Sequence, residues 1–356
     1  MNNKVTLGGD SCDRFRDMRV VGSGICCAVG LNAESASCAL RAGMDHFRES
    51  DFISNDGSPI RIARIEGESR WGAARLAQWA KYALEECLDS VAVEERTSIP
   101  VVLMTCDLQR PMGAEQIQFE TARSAQEALC LRFAQGSLII PGGRGGFSTG
   151  LRYAQKMMLQ PHVRKVIVLG LDSFLNSANI THYLSEERLL ASGNSDGFIP
   201  GEAAAAVLLE RADMFEDASG LHISGIGHAH EEGRFDGSVP SRSKGMSAAM
   251  REALVQANAT LNDVDFRISD QNGEAFFAKD AANALTRVAE SGGTLPELLT
   301  IADCVGEVGS ACGPLMLAWM HRYMPHPDAP GSVGMMHLAS DDGDRSAVIL
   351  RQHALI

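Results

Sequence analysis

The stretch SDGFIPGEAAAAVLLE, which runs from Ser195 to Glu210, is the part of the sequence that decides the fold. Its second half, EAAAAVLLE (Glu202–Glu210), places an uninterrupted apolar run between two glutamates. Alanine and leucine favour a helix, but a short apolar run is also typical of a strand that is buried on both faces. Taken alone, this segment leaves helix and strand open, and the choice depends on what surrounds it.

Short apolar runs alternate with amphipathic stretches along most of the chain. The runs that predict buried strands are MRVVGSGICCAVG (Met18–Gly30), SIPVVLMTC (Ser98–Cys106), SLIIP (Ser137–Pro141), RKVIVLGLDSF (Arg164–Phe174), LHISGIGHA (Leu221–Ala229), VDFRISD (Val264–Asp270), ELLTIADCVG (Glu297–Gly306) and GSVGMMHLAS (Gly331–Ser340). Apolar residues at three- and four-residue spacing predict helices over Ser69–Val91 and Thr149–Leu159. Strands that alternate with helices over this length indicate an α/β sheet covered by helices.

Two glycine motifs indicate an internal duplication. VVGSG (Val20–Gly24) and ISGIG (Ile223–Gly227) each join a β-branched run to Gly-x-Gly, and each opens a half of similar length. Because this pattern is common at strand ends, the prediction also depends on the repeated order of strands and helices. We predict two similar halves, residues 1–212 and 213–356, that pack as pseudo-twofold mates and join at RADMFEDASG (Arg211–Gly220).

Composition and charge exclude several classes of partner. With 32 Lys and Arg against 45 Asp and Glu, the 356-residue chain has a formal net charge of −13, which disfavours binding to nucleic acid or to an anionic membrane. The N-terminal segment MNNKVTLGGDSCDRFRD lacks the apolar run of a secretory signal, and runs such as PLMLAWM are too short to span a membrane. The nine cysteines show no paired spacing, which indicates reduced thiols. We expect a cytoplasmic protein that uses no metal and no cofactor.

The opening stretch resembles the DGF-x-x-GE…VLE segment of β-ketoacyl-acyl-carrier-protein synthases, the condensing enzymes of the thiolase fold. RVVGSGICCAVGLNAESASCALRAGMDHFR (Arg19–Arg48) is similar to the opening strand, loop and first helix of that family, and VRKVIVLGLDSF (Val163–Phe174) to its strand after the nucleophile helix. GSLIIPGGRGGFSTGLRYA (Gly136–Ala154) falls where the family has its cysteine elbow. The resemblance implies a thiolase-like fold of two pseudo-twofold-related αβ halves in five layers, α-β-α-β-α, with EAAAAVLLE as a core strand.

The resemblance assigns the catalytic positions of the family to residues of a different kind. The cysteine that takes the acyl chain, at the N-terminus of a helix, corresponds to Arg144 or Gly145. Two histidines hold the malonyl carboxylate and the thioester oxygen in the family; here Asn272 and Glu307 stand in their places. A carboxylate at Glu307 would repel a malonyl carboxylate. The resemblance therefore implies the fold of the family without its condensing activity. The same pocket provides the ligand-binding candidates Arg144, Gly145, Gly146, Phe198, Asn272 and Glu307.

Three motifs offer other chemistry. GFSTG (Gly146–Gly150) matches the Gly-x-Ser-x-Gly nucleophile elbow and places Ser148 at a strand-to-helix corner; alternatively, Ser148 or Thr149 caps the helix that follows. PGGRGG either cradles an anion with Arg144 or forms a glycine turn with a solvated arginine. GHAHEEG contains His228 and His230, which are metal-ligand types, but a polar loop explains them equally and no third ligand is identifiable.

We predict a ketosynthase-like pseudoenzyme that acts as a binding, scaffold or accessory subunit, as the chain-length-factor partners of polyketide synthases do. Members of the family dimerise across the strand before the elbow, so we expect a homodimer, or a heterodimer with a related synthase-like protein, through Ser137–Ile140. An acyl carrier protein is a further candidate partner. The alternative is an enzyme of altered chemistry, either an acyltransferase or hydrolase that uses Ser148 or an acyl-thioester decarboxylase that uses Asn272. Ala302 stands where the family has a lysine. If the family pairs that lysine with the glutamate of its GE motif, Glu202 needs another partner in this chain.

Overall fold

The computed structural model describes residues 17–67, 69–214, 219–233, 235–289 and 293–354. The strands are β1 (Met18–Cys27), β2 (Arg48–Ile53), β3 (Pro59–Ile62), β4 (Val101–Thr105), β5 (Leu138–Pro141), β6 (Lys165–Ser173), β7 (Glu202–Arg211), β8 (Gly220–His230), β9 (Phe266–Ser269), β10 (Glu297–Thr300), β11 (Val333–Ala339) and β12 (Asp344–His353). The helices are α1 (Ala33–Arg41), α2 (Gly72–Cys87), α3 (Val93–Arg96), α4 (Glu115–Leu129), α5 (Phe147–Met158), α6 (Ser177–Ser185), α7 (Lys244–Gln256), α8 (Ala275–Val288), α9 (Ala302–Val305) and α10 (Cys312–Tyr323). The predicted alternation of strands and helices is confirmed.

Ten of these strands form one sheet in the order β10-β9-β11-β12-β8-β1-β7-β6-β4-β5. From the outer edge of the sheet to its centre, the first half has the order β5-β4-β6-β7-β1 and the second half has the order β10-β9-β11-β12-β8. Numbered along the chain within each half, both orders are third, second, fourth, fifth, first. In each half the two ladders at the outer edge are parallel and the next two are antiparallel. The halves meet where β1 pairs with β8, with Met18 opposite Ile223. The predicted pseudo-twofold relation between two αβ halves is confirmed.

The alanine-rich segment that opened the sequence analysis is strand β7. It pairs with β6 on one side and with β1 on the other, so both edges of its backbone are hydrogen-bonded. Its side chains alternate between two cores: Ala203 and Ala205 enter one, and Ala204 and Ala206 enter the other. Pairing on both edges and burial on both faces outweigh the helix propensity of alanine.

Three apolar clusters separate the layers of the molecule. One lies between the first half-sheet and helices α2 and α4, and includes Trp79 and Leu103. A central cluster surrounds α5 and α10 and includes Phe147 and Met316. The third lies beneath α7 and α8 and includes Met250. Helices α5 and α10 therefore lie between the two half-sheets, which gives the predicted α-β-α-β-α arrangement.

The two Gly-x-Gly motifs let a helix pack closely against a strand in each half. A Cβ atom on Gly24 would lie 2.0 Å from the carbonyl oxygen of Ala83 in α2. A Cβ atom on Gly227 would lie 1.8 Å from the carbonyl oxygen of Ala249 in α7. Only glycine fits at such a distance, so the two motifs serve the same helix–strand contact in the two halves.

Some elements differ from the sequence-based expectation. ELLTIADCVG is a strand only over Glu297–Thr300 and continues as the helical turn Ala302–Val305. Strand β12 and the β2–β3 hairpin were not predicted. The polar N-terminal segment and residues 215–218 of the predicted junction lie outside the described residues. Within the described ranges, no helix is both long enough and apolar enough to cross a membrane.

Candidate functional site

A glycine-rich turn joins strand β5 to helix α5. Pro141 ends the strand and Phe147 begins the helix. Gly143 has a φ of +51°, in the left-handed region that favours glycine. The backbone N–H of Gly146 donates to the carbonyl of Gly142 at 2.9 Å, which closes the turn. The predicted strand–turn–helix corner is confirmed, and Arg144 lies in the middle of it.

The Arg144 side chain is buried and is held by carboxylates. Its Nη1 lies 2.8 Å from Oε2 of Glu307, and its Nε lies 3.6 Å from Oδ2 of Asp270. The guanidinium carbon lies 4.6 Å from the ring centroid of Phe277. Burial opposes the charge of Arg144, but Glu307, Asp270 and Asp341 outweigh it and hold the pKa of Arg144 above its usual value. Neither predicted role of PGGRGG is therefore correct, because this arginine is neither solvated nor free to bind an anion.

Asn272 and Glu307 contact each other beside Arg144. Nδ2 of Asn272 donates to Oε2 of Glu307 at 2.6 Å and to Oε2 of Glu274 at 3.0 Å. The other carboxylate oxygen of Glu307 accepts from the backbone N–H of Gly309 at 2.8 Å. Burial raises the pKa of Glu307 above its usual value, and Arg144 and the Gly309 N–H oppose that rise. The three positions that the resemblance assigns to the cysteine and the histidines thus lie together, bound to one another.

Two further buried arginines extend this network of charges. Nε of Arg188 lies 2.7 Å from Oε1 of Glu274, and its Nη1 lies 2.7 Å from Oδ2 of Asp341. Arg110 binds both carboxylate oxygens of Asp172, with Nη1 at 3.0 Å from Oδ2. Burial raises the pKa of Asp341, but Arg188 outweighs burial and holds it below the usual value. Arg110 is therefore neutralised by Asp172, and Arg144 and Arg188 by the carboxylates around them, with Asp341 shared between the two.

The cavity that remains at this site is small. It has a volume of about 30 Å³ and is lined by the three arginines together with the rings of Phe174, Tyr183 and Phe198. A cavity of this size holds roughly one or two water molecules. The arginine side chains fill the space that a substrate would need.

The remaining ligand-binding candidates lie around this cavity in structural roles. A Cβ atom on Gly145 would lie 2.1 Å from Oγ of Ser340, and that oxygen accepts the Gly145 N–H at 2.9 Å. A side chain therefore fits at Arg144 and not at Gly145. Gly146 is the residue before α5, and Phe198 is 1% exposed and packs edge-on against Tyr183 at a centroid distance of 5.1 Å.

Ser148 is the second residue of α5 and is completely buried. Its hydroxyl oxygen lies 3.1 Å from Nδ1 of His228 and 2.6 Å from Oγ of Ser346. Sequence reasoning considered His228 only as a metal-ligand type and did not connect it with Ser148, because it lies far along the chain in β8. Oδ1 of Asp344 is 3.9 Å from Nε2 of His228, which is too long for a hydrogen bond. The geometry therefore gives a buried Ser–His contact and not a serine exposed at the corner.

Glu231 and His230, two other residues of GHAHEEG, form contacts within the protein. The carboxylate of Glu231 accepts the backbone N–H of Gly245 at 2.7 Å and that of Arg242 at 3.2 Å, at the start of α7. His230 lies at the surface with its Nδ1 3.5 Å from Oδ1 of Asp344. Across the residues that the structure describes, no three His, Cys, Asp or Glu side chains are grouped so as to hold a metal ion.

Glu202 has a buried partner that sequence reasoning missed. Nε of Arg75, in α2, lies 2.9 Å from Oε2 of Glu202, and Nη2 of the same arginine binds the other oxygen. The backbone N–H of Ile65 donates to Oε1 at 2.9 Å. An arginine from a different element thus replaces the lysine that the resemblance would place at Ala302, and it ties α2 to the start of β7.

Cysteines near the turn are protected from ionisation. Cys312, the first residue of α10, is buried, and burial together with Asp270 and Glu307 raises the pKa of its thiol well above the usual value. Burial, followed by the charge of Asp172, raises the pKa of Cys106 to about 11. Both thiols are therefore neutral and weakly nucleophilic at neutral pH.

Sequence reasoning also missed Arg110, Arg188 and Asp341. They come from three separate loops, and only the fold brings them to Arg144. The available signal is an arginine next to apolar or turn residues, as in LQRP and ERLLA. A buried charge requires a partner, so such an arginine predicts an ion pair without saying which carboxylate forms it.

The fold is that of ketosynthases and chain length factors. A chain of the ishigamide ketosynthase/chain length factor is 14% identical, with a TM-score of 0.74 over 95% of this chain and 100% of that one. A β-ketoacyl synthase from Burkholderia phymatum is 16% identical, with a TM-score of 0.72 over 96% and 100%. A chain of the ketosynthase–chain length factor complex from Xenorhabdus doucetiae is 14% identical, with a TM-score of 0.71 over 97% and 100%. No protein-family model and no curated protein matches the sequence, and identities this low establish the fold alone.

Proposed function

We propose that the protein is a cytoplasmic, ketosynthase-like subunit that lacks condensing activity and acts as a binding, scaffold or accessory partner. Its partner is a second copy or a related synthase-like protein, and an acyl carrier protein is a further candidate. One observation carries the proposal: Glu307 binds both Arg144 and Asn272, and the resemblance assigns these residues, with Gly145 as the alternative to Arg144, to the positions of the family's cysteine and histidines.

Each replacement removes one step of decarboxylative condensation. The guanidinium of Arg144 cannot take an acyl chain as a thiolate does. Both side-chain N–H bonds of Asn272 point to carboxylates, so none is available to an oxyanion. The negative charge of Glu307 opposes the binding of a malonyl carboxylate. The cavity of about 30 Å³ has no space for an acyl thioester.

The alternative function, an enzyme of altered chemistry, has one observation in its favour. The hydroxyl of Ser148 is 3.1 Å from His228, as a serine activated by a base would be. Against it, Ser148 is completely buried and its oxygen is also bound to Ser346. A decarboxylase that uses Asn272 would first have to free that amide from Glu307 and Glu274. We therefore favour the accessory function.

The surface around strand β5 supports a partner protein. β5 is the last strand at one edge of the sheet, so one row of its backbone groups has no neighbouring strand in this chain. Beside it, β5 and α4 border a groove of about 460 Å³ lined by Phe119, Phe133 and Ile139, and Phe119 is 63% exposed. An exposed sheet edge beside apolar side chains is typical of an interface. The similar protein from Xenorhabdus doucetiae is a ketosynthase in complex with its chain length factor, which favours a heterodimer.

Incubation with acyl and malonyl thioesters tests the loss of activity. We expect no adduct by intact-mass analysis and no release of carbon dioxide or condensed product, under conditions in which an active ketosynthase gives both. An acyl adduct that disappears in Ser148→Ala, or turnover of the malonyl thioester, would contradict the accessory function.

Sedimentation tests the interface separately. We expect the protein, alone or with its synthase partner, to form a dimer that Phe119→Glu weakens. Val255→Glu is the matched control, because Val255 is 77% exposed on helix α7, in the other half of the molecule. A monomer under all conditions, or a dimer that is equally sensitive to both variants, would rule out the β5 interface.

A further inference from the structure

A second cavity lies where helices α2 and α4 approach the ends of strands β4 and β6, and it shares Arg110 and Asp172 with the charge network but not Arg144. Its volume is about 100 Å³, and apolar side chains, among them Leu76, Ile117 and Leu171, form most of its wall. The exposed side chain of Trp71 also lines it. A cavity of about 150 Å³ with a similar apolar lining holds a molecule of benzene. By the same measure, this cavity has room for about four non-hydrogen atoms.

Two side chains of the wall carry polar atoms that have no hydrogen-bond partner among the described residues. They are Oγ1 of Thr105, at the end of β4, and Nε of Arg110. Both residues are at least nine-tenths buried. A buried polar atom without a partner costs about 1–3 kcal/mol, so an oxygen atom at this end of the cavity would relieve a real penalty. The threonine hydroxyl can meet such an oxygen by rotation about χ1.

The charges of the wall are already balanced. The charged side chains that line the cavity are Arg75, Arg110 and Asp172. Arg75 is paired with Glu202, and Arg110 is paired with Asp172. An ionised ligand would bring a buried charge without a counter-ion, which is strongly unfavourable. The cavity therefore selects against carboxylates, phosphates and amines.

We infer that this cavity binds a small neutral molecule with a compact hydrocarbon body and a single carbonyl or hydroxyl oxygen. The hydrocarbon body packs against Leu76, Ile117 and Leu171, and the oxygen binds at Thr105 and Arg110. The inference does not depend on the accessory function proposed above, because it involves neither Arg144 nor the dimer interface.

Acetone, which has four non-hydrogen atoms, is a suitable test compound, and isobutene, in which a CH₂ group replaces the oxygen, is its counterpart without the oxygen. Binding to the full chain is measured by protein NMR titration and by crystal soaking. Thr105→Val removes the hydroxyl and keeps the shape, and it should not harm folding, because the hydroxyl that it removes has no partner. Ala73→Phe fills the cavity from α2, and Ala74→Phe is its matched control, since Ala74 is exposed and does not line the cavity.

We expect Thr105→Val to weaken acetone binding about tenfold and to leave the binding of isobutene unchanged. Ala73→Phe should abolish the binding of both compounds, and Ala74→Phe should not. Ordered water alone in soaked crystals, an unchanged affinity for acetone in Thr105→Val, or binding that survives Ala73→Phe would each overturn the inference. If Thr105→Val does not fold, the soaked crystal decides: the ketone oxygen must lie within hydrogen-bond distance of Thr105 or Arg110.

Discussion

Replacement of Arg144 by methionine tests whether its ion pairs stabilise the fold. Methionine keeps much of the length of the side chain and removes the charge. Glu307 is 4% exposed and Asp270 is 3% exposed, and both contact the guanidinium. In Arg144→Met these two carboxylates would remain in the interior without their counter-ion, so we expect a large loss of stability.

The size of the loss follows from the geometry. With roughly 4 Å between charge centres, the attraction between Arg144 and Glu307 is about 4 kcal/mol at an effective dielectric constant of about 20. Asp270 adds a second attraction over a longer contact of 3.6 Å. The cost of burying the guanidinium offsets part of both. Removing one partner of such a buried pair costs about 3–5 kcal/mol, and we expect the free energy of unfolding to fall by that amount.

A double-mutant cycle in urea measures this coupling. Glu307→Gln removes one of the stranded charges, so the double variant Arg144→Met/Glu307→Gln should be about 2 kcal/mol more stable than the sum of the two single effects predicts. The pH dependence provides a second readout. Arg144 opposes the rise in the pKa of Glu307, so in Arg144→Met that pKa rises further above its value in the unfolded chain. The folded variant then binds a proton as the pH falls, and its deficit relative to wild type should shrink from pH 7 to pH 5.

Two results would refute the reasoning. One is a loss of less than about 1 kcal/mol in Arg144→Met with an unchanged m-value, as for an exposed ion pair. The other is strict additivity in the cycle, which would mean that Arg144 and Glu307 contribute independently.

Three further predictions concern sites away from this pair. Gly145→Ala should lower the free energy of unfolding by about 2 kcal/mol, because the new Cβ would lie 2.1 Å from Oγ of Ser340; urea denaturation measures it. Burial, helped by the charge of Arg267, lowers the pKa of His337 to about 3, so between pH 6.5 and pH 5 this histidine is protonated only in the unfolded chain. The free energy of unfolding should therefore fall by about 2 kcal/mol over that range, and His337→Gln should remove this part of the pH dependence. A fluorophosphonate should label neither the wild-type protein nor Ser148→Ala, since the serine oxygen is buried; mass spectrometry detects any label.

Matched controls separate these effects from general loss of stability. Gly150→Ala lies in the same segment, but its nearest neighbour is the flexible end of Met104 at 3.1 Å, so its cost should be much smaller than that of Gly145→Ala. His162→Gln changes an exposed histidine and should leave the pH dependence of stability as in wild type. Labelling of wild type that is lost in Ser148→Ala would show that the buried serine becomes accessible.

Most of the fold could be predicted because its signals are local or repeated. Apolar runs mark the strands that are buried on both faces, and the Gly-x-Gly motifs recur where α2 and α7 pack closely on β1 and β8. The alanine-rich strand β7 could not be assigned from propensity, since its conformation depends on β1 and β6, which lie far away in sequence. The resemblance of Ser195–Glu210 supplied that information. Strand β12 was missed because charged and polar residues flank its short apolar centre.

The contacts of the site were much harder to predict than the fold. Counting from the flanking strands located the turn but left Arg144 and Gly145 as alternatives, and the Cβ distances show that a side chain fits at Arg144 and not at Gly145. The partners of the arginines come from loops that meet only in the folded chain. No local pattern connects Arg188 with Asp341, or Arg75 with Glu202, although both arginines are buried.

The three replaced positions depend on one another, and this bears on what the site now does. Cysteine at Arg144 alone would leave Glu307 and Asp270 without a counter-ion. Histidine at Glu307 alone would place an imidazole against a guanidinium that has lost its closest carboxylate. Each single change towards the family's residues therefore costs stability before it can restore any chemistry. A site that had lost only its nucleophile would keep an open pocket. Here paired charged side chains occupy the site and leave a cavity of about 30 Å³. Buried ion pairs of this kind are typical of a structural core, and this supports our proposal that the protein acts through its surfaces and not at the turn.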